Sequence, residues 1–405
     1  MDKMLETLDT QAITEANWIL INQQLLPLLE RKDKLKAIED IELEKAVAIA
    51  IQVLQVGDFQ TRWDVAKIFP KIGEKAIAPL LEILHSEQAD SEIRWFALRI
   101  LGEFNQPYLV ISLVKFLEET QEEELALYCA QTLAKIGQPA ITGLIELLKD
   151  EKSRLLAVKS LAQIRRSEII EPLLSVVDDS NVEVRITAVE ALSSFHQKGL
   201  IPVFIKALKD TSAKVRKEAI IALKMRGDLK KQFDLVNHLQ PLVYDINSEV
   251  GQQAVLALGC MRDETAIAVL FNVLSWNNAA LSLKKEAVRA LNWSGSMKAL
   301  DYLKYCLNNC LKSSDIGLCE EIIAVLGRQE STELKSYAAN IVIDFLNSEQ
   351  EIALTPQIKQ AIATSLGELR DSVALTHLEK LTFDDDSKVK LYAKAAIKKF
   401  TAVEK

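Results

Sequence analysis

The chain has 405 residues with 49 Lys and Arg against 57 Asp and Glu, a net charge of −8. That balance excludes a general polyanion binder, which needs a basic surface to neutralise phosphates. Apolar residues make up 49% while only 13 are Gly and 9 Pro, a composition that favours helices with a large core over sheets or disorder, and five cysteines, an odd number, point away from a disulfide framework and toward a reducing compartment.

In chain order, the opening Met1-Asp2-Lys3-Met4-Leu5-Glu6 lacks a basic stretch followed by an apolar run, so no secretory signal is expected and the chain reads as cytoplasmic. Residues 1–40 precede the first clear helical pair and are expected to form an N-terminal cap. From there one phrase returns eleven times, most fully as Asn181-Val182-Glu183-Val184-Arg185-Ile186-Thr187-Ala188-Val189-Glu190-Ala191-Leu192. Its final large apolar residue, taken as a register mark, falls at Phe69, Leu101, Leu133, Leu161, Leu192, Leu223, Leu258, Leu291, Leu326, Leu366 and Ile397. Intervals of roughly 28 to 40 residues are those of stacked helical hairpins, none of which can bury its apolar face alone. The predicted fold is all-α, an α-solenoid superhelix of about eleven such hairpins forming one elongated domain over 1–405. Residues 41–300 are its regular repeats and 301–405 its divergent C-terminal repeats.

Each repeat reads as a first, amphipathic helix (Ala76 to Leu84, Pro139 to Lys149, Ile169 to Val177, Leu200 to Leu208) and a second helix carrying the phrase. Polar breaks with N-capping residues separate them, at Ser86 to Ser91, Asp178 to Asn181 and Asp384 to Ser387. At 100° per residue, positions −8, −4, −1 and 0 from the mark share one side and form the predicted core. Position −4 is small (Ala97, Cys129, Ala157, Ala188, Ala219, Ala254, Ala287, Ala393), which lets helices approach. Position −7 is cationic (Arg62, Arg94, Arg154, Arg185, Arg216, then Lys284, Lys359 and Lys390) and is expected to edge the core within reach of loop carboxylates or carbonyls. The basic run from Lys206 to Lys231 reads as solvated repeat surface, the alternative being an anion-binding patch. Thr265 to Leu283 carries no charge, but its Asn and Ser residues suit a buried helix and a turn rather than a membrane span. The long interval before Leu366 predicts an enlarged loop around Asn347 to Pro356, and Cys319 takes the place usually held by Arg.

The phrase Val184-Arg185-x-x-Ala188-x-x-Ala191-Leu192, echoed by Val215-Arg216-x-x-Ala219-x-x-Ala222-Leu223, resembles the HEAT repeats of E/F-type phycobilin lyases and of related cyanobacterial adapter proteins, among them the partner of an A-type iron–sulfur assembly protein. The resemblance covers about Glu42 to Phe400 and implies either an adapter or an enzyme that attaches or removes bilins; HEAT repeats carry no reaction in themselves. The HEAT relative deoxyhypusine hydroxylase is excluded, because its di-iron site needs His-Glu pairs and the four histidines here are followed by Ser86, Gln197, Leu239 and Leu378.

On the outer side of the second helices, position −6 reads Trp63, Trp95, Leu127, Leu155 and Ile186, then turns polar at Lys217, Gln252, Lys285, Glu320 and Gln360. Position −5 adds Phe96, Tyr128 and Leu156, and Lys67, Arg99 and Lys159 at −2 border the stripe. The helical angle points these residues away from the core, so an apolar, aromatic groove on the concave side of the first repeats is expected to bind a partner protein's amphipathic helix, or a tetrapyrrole through its propionates. Partial cover by the next repeat is the plainer alternative. Trp293 is a candidate for a second contact.

Cys306 and Cys310, at i and i+4, with Cys319 nearby, have the spacing of soft-metal ligands but lack a fourth, and they equally make an ordinary core face; no resident metal is expected. No Gly-rich phosphate loop, HExxH, CxxC or nucleophile turn is present. The sequence thus reads as a non-catalytic interaction scaffold with another protein as partner, no nucleic acid, no membrane insertion and no cofactor. The resemblance places it in phycobilisome or iron–sulfur protein biogenesis, with a phycobiliprotein subunit or an assembly factor as partner; the alternative it implies is an E/F-type bilin lyase or detaching factor with transiently bound phycobilin.

Overall fold

The structure is a computed structural model that describes residues 40–104, 106, 108–309, 316–348 and 350–401; the predicted cap over 1–40 lies outside them apart from Asp40. The described residues form helices and short 3-10 turns, with no strand among them, and divide into two compact units at Leu192/Ser193. The first unit contains α1 Asp40–Val56, α2 Phe59–Ala66, α3 Phe69–Ile72, α4 Ile77–His85, α5 Ser91–Phe104, α6 Leu109–Glu119, α7 Glu123–Ile136, α8 Gln138–Leu147, α9 Arg154–Gln163, α10 Ile170–Leu174 and α11 Val182–Ser193. The second contains α12 Ile201–Ala207, α13 Ala213–Lys224, α14 Leu235–Leu239, α15 Ser248–Met261, α16 Glu264–Ser275, α17 Leu281–Trp293, α18 Met297–Asn308, α19 Ile316–Leu326, α20 Thr332–Leu346, α21 Pro356–Leu369, α22 Leu375–Leu381 and α23 Ser387–Thr401.

Both units are hairpins stacked in sequence order, the predicted α-solenoid plan. Second helices pack on second helices, α5 on α7 and α7 on α9 in the first unit, then α13 through α15, α17, α19 and α21 to α23 in the second. Each break supplies its cap: Asp90 accepts from the Ile93 N–H at 2.7 Å, Asn181 from Glu183 at 2.9 Å, and Asp386 from Lys388 and Val389 at 3.0 and 2.9 Å, satisfying N–H groups that the helix start leaves open. The uncharged stretch after Thr265 is α16 followed by a turn. The connection from α20 to α21 runs over 347–355, longer than the 276–280 connection from α16 to α17, where the interval before Leu366 predicted it.

The small −4 residues are fully buried, as close helix contact requires. The core face is wider than positions −8, −4, −1 and 0, because −3 is buried too: Leu98, Ala130, Val158, Val189, Ile220, Val255 and Val288 are all within the core. A second helix contacts its own first helix on one flank and second helices of neighbouring repeats on others, so its buried arc exceeds that of a helix lying on a single surface.

The cations at −7 form a ladder along the loop edge. Arg62 donates to the Gln55 carbonyl at 3.2 Å and to Glu92 at 2.7 Å; Arg94 to the Ser86 carbonyl at 2.6 Å, with Glu122 at 3.5 Å; Arg154 to the Leu148 carbonyl and to Asp179 at 2.7 and 2.9 Å. In the second unit Arg216 donates to the Asp210 carbonyl at 2.8 Å and grips Asp245 with two 2.8 Å bonds, and Lys359 reaches Asp384 at 2.6 Å. Arg62, Arg94, Arg154 and Arg216 each tie a carbonyl of their own hairpin to an acidic residue of the next repeat, and Lys359 makes the second of these contacts, which is the structural role predicted for the column. Burial pushes the Asp245 carboxyl up, but its hydrogen bonds from Arg216 and the Asn247 N–H carry it below the ordinary carboxylate range.

Candidate partner-binding site

Three consecutive second helices of the first unit bring the −6 residues into a row. Trp63 on α2 and Trp95 on α5 lie nearly parallel with ring centroids 6.3 Å apart, and Trp95 meets Tyr128 of α7 edge-on at 5.2 Å. Pairs of this geometry contribute about 0.5–1.5 kcal/mol each beyond their burial. Exposure varies along the stripe: Trp63 and Trp95 are half-buried, Leu127 and Tyr128 exposed at 47% and 39%, Leu155 and Leu156 half-buried, and Arg99 and Lys159 exposed.

Phe96 departs from the outward orientation predicted for it, being fully buried. Its ring packs against Phe59, Trp63 and Trp95 at centroid distances of 5.5, 6.4 and 4.9 Å. Position −5 has no fixed exposure in this fold; here Phe59 and Trp63 of the preceding helix fold over it, whereas Tyr128 at the same position has no such cover. Phe96 is therefore the floor on which the two tryptophans rest. Phe59 itself is 57% exposed and extends the aromatic surface beyond the residues singled out from the sequence. Its spacing of four from Trp63 puts both on one helix face, the signal that marks it.

Arg99 caps this surface, its guanidinium carbon 4.1 Å from the Trp63 ring centre and 5.9 Å from that of Trp95. Beside it is a hollow of about 260 Å³ lined by Trp63, Ala66, Lys67, Pro70, Ile100 and Glu103. Pro70, with no N–H to donate, sits where the second helix of this hairpin is broken between α2 and α3 and forms one wall of the hollow.

In the second unit the polar −6 residues Lys217, Gln252, Lys285, Glu320 and Gln360 are half-buried, while Leu391 at the same position of the last repeat is 65% exposed. Lys217 pairs with Glu249 at 2.7 Å and Glu320 accepts from Gln357 at 2.6 Å. Trp293, at the end of α17, is 45% exposed. The basic run from Lys206 is largely committed within the fold: Arg216 and Lys217 are ion-paired, Lys230 donates to the Met261 carbonyl, and Arg226 is 2% exposed, donating to the carbonyls of Ala222, Ser193 and Phe195 with its guanidinium 4.8 Å over Phe204. Cys319 is buried and Cys306 half-buried, while Cys310 lies outside the described residues. Among the described residues no group of three or more His, Cys, Asp or Glu could hold a metal ion, and no helix is long and apolar enough to cross a membrane.

A family model described as HEAT repeats matches residues 77–156, 141–224 and 170–238. Residues 77–238 are thus similar to HEAT repeats. This stretch holds Trp95, Arg99 and Tyr128, so much of the aromatic face is carried on second helices that the family model matches. A search of curated proteins gives no match. Among solved structures the chain is similar to Kap95p, whose binding induces the switch loops of RanGDP to adopt the GTP-bound conformation, at 14% identity and a TM-score of 0.62 over 88% of this chain and 55% of that one. It is similar also to Kap121p bound to Pho4p, at 16% identity and 0.58 over 94% and 49%. The chain spans about half the length of these proteins, and at such identities the likeness is one of fold alone.

Proposed function

We propose that this chain is a non-catalytic scaffold that holds a partner protein against the second-helix face of its first unit. The observation that carries this reading is the continuous aromatic surface of Phe59, Trp63, Trp95 and Tyr128, part-exposed and built on a buried Phe96. Side chains this large left in solvent on a packed array are the usual anchors of an interface. Kap95p and Kap121p, whose folds are similar, bind RanGDP and Pho4p respectively, which supports the use of such an array for holding proteins. In our reading the chain acts in the cytoplasm without a cofactor of its own. The resemblance of its repeat phrase to cyanobacterial adapters suggests phycobilisome or iron–sulfur protein biogenesis as the setting. The test is capture of partners from a native host lysate by the wild type and by Trp95→Ala, read by mass spectrometry. A partner retained by the wild type and lost by the variant supports the reading; identical captures refute it.

A bilin lyase or detaching factor is the second reading, favoured by exposed Arg99 and Lys159 at the border of an aromatic face, where the propionates of a tetrapyrrole would find cations. Titration with a phycobilin separates the two. Visible absorbance bound to the purified protein and lost in Trp95→Ala favours the second reading; a colourless protein favours the scaffold.

A further inference from the structure

The cations of the first unit's second-helix face are not all engaged. Lys67 pairs with Asp64 at 2.9 Å, Lys135 with Glu103 at 3.3 Å, and Arg62 with Glu92 at 2.7 Å. Arg99 and Lys159 have no carboxylate partner among the described residues, although acidic groups outnumber basic ones in the chain as a whole. Arg99 is moreover restrained: its guanidinium carbon lies 4.1 Å from the centre of the Trp63 ring, a cation–π contact that limits the freedom of the side chain while the residue stays exposed. An exposed guanidinium can receive a carboxylate through two parallel hydrogen bonds. The hollow beside it, about 260 Å³ and lined by Trp63, Ala66, Pro70 and Ile100 together with the charged Lys67 and Glu103, has room for one side chain.

We propose that the partner segment docking here carries an Asp or Glu that pairs with Arg99, next to an apolar residue that fills the hollow between Trp63 and Ile100. The proposal rests on the scaffold reading and adds to it the chemistry of the partner: a short acidic and apolar stretch, with Lys159 available to a second acidic residue farther along the face. The contact with Trp63 already restricts the Arg99 side chain, so less side-chain freedom is lost on pairing than for a free surface arginine.

The experiment is selection of a random-peptide display library on the full-length protein, followed by affinity measurements of the selected peptides on the wild type, Arg99→Gln, Arg99→Lys and Trp95→Ala. Circular dichroism checks that each variant folds, which the exposure of Arg99 leads us to expect. The selected peptides should share an acidic residue beside Leu, Ile, Phe or Trp. Arg99→Gln should weaken them by about tenfold or more, Arg99→Lys by less, and a peptide whose acid is replaced by its amide should no longer distinguish wild type from Arg99→Gln. Neutral or basic peptides that bind Arg99→Gln as they bind the wild type, yet are lost on Trp95→Ala, overturn this proposal and leave the scaffold face standing. Peptides indifferent to both substitutions, or a library that yields none sensitive to Arg99→Gln, overturn it as well, and the former removes the face from consideration too.

Discussion

Gly259 lies inside α15, where replacement by Ala ought to strengthen the helix by about 1 kcal/mol on propensity alone. The structure predicts the opposite sign. A Cβ at this position would stand 2.8 Å from the Cβ of Ala290, 3.0 Å from its Cα and 3.2 Å from its carbonyl oxygen on α17. Carbon atoms in contact prefer about 3.5–4.0 Å, so the helices must separate by several tenths of an ångström or more, and the obstructing atoms belong largely to helix backbone rather than to a flexible side chain. Overpacking of this kind costs about 1–3 kcal/mol; after the propensity gain of about 1 kcal/mol, a net loss of up to about 2 kcal/mol is expected. Gly199 is the control, since a Cβ there meets nothing within 4 Å and its φ is not positive. Its replacement by Ala should be neutral or slightly stabilising. Urea unfolding followed by circular dichroism gives both midpoints. Gly259→Ala should lower the midpoint where Gly199→Ala does not, and adding Ala290→Gly should restore part of the loss. A midpoint raised by Gly259→Ala would show that α15 and α17 do not approach at this residue.

Other substitutions probe other parts of the structure. Phe96→Ala should destabilise the first unit by about 3–5 kcal/mol, as loss of a fully buried aromatic does, while Trp95→Ala should cost clearly less because its ring is half-buried; equal losses in thermal or urea unfolding would contradict the floor-and-surface assignment. The depressed Asp245 carboxyl stabilises the fold fully above the ordinary carboxylate value of about 3.9, and that contribution disappears as pH falls through its lower folded value. Asp245→Asn should therefore lower the melting temperature at neutral pH and flatten its decline below about pH 4; an unchanged decline would place acid sensitivity elsewhere. Arg226→Met should cost about 1–3 kcal/mol by leaving the part-buried carbonyls of Ser193 and Phe195 short of a donor, and a stability equal to wild type would mean that water takes over that role.

Helix type, hairpin period, capped breaks and the loop-edge role of the −7 cations were all legible in the sequence, because each follows from local geometry repeated along the chain. A helix turns 100° per residue wherever it lies, so a column of Ala at −4 and of Arg at −7 announces one buried face and one edge without reference to any neighbour. The sequence likewise separated an aromatic −6 column in the first repeats from a polar one later, since that is a matter of residue type. Which of those aromatics is surface and which is floor depended on the adjacent helix. Phe96 and Tyr128 share a register position, yet Phe59 and Trp63 cover only the first. The buried −3 residues, the stacking of Arg99 on Trp63 and the contact of Gly259 with Ala290 are of the same kind: they arise between side chains about 31 to 37 residues apart, and only the packing of one repeat on the next determines their distances.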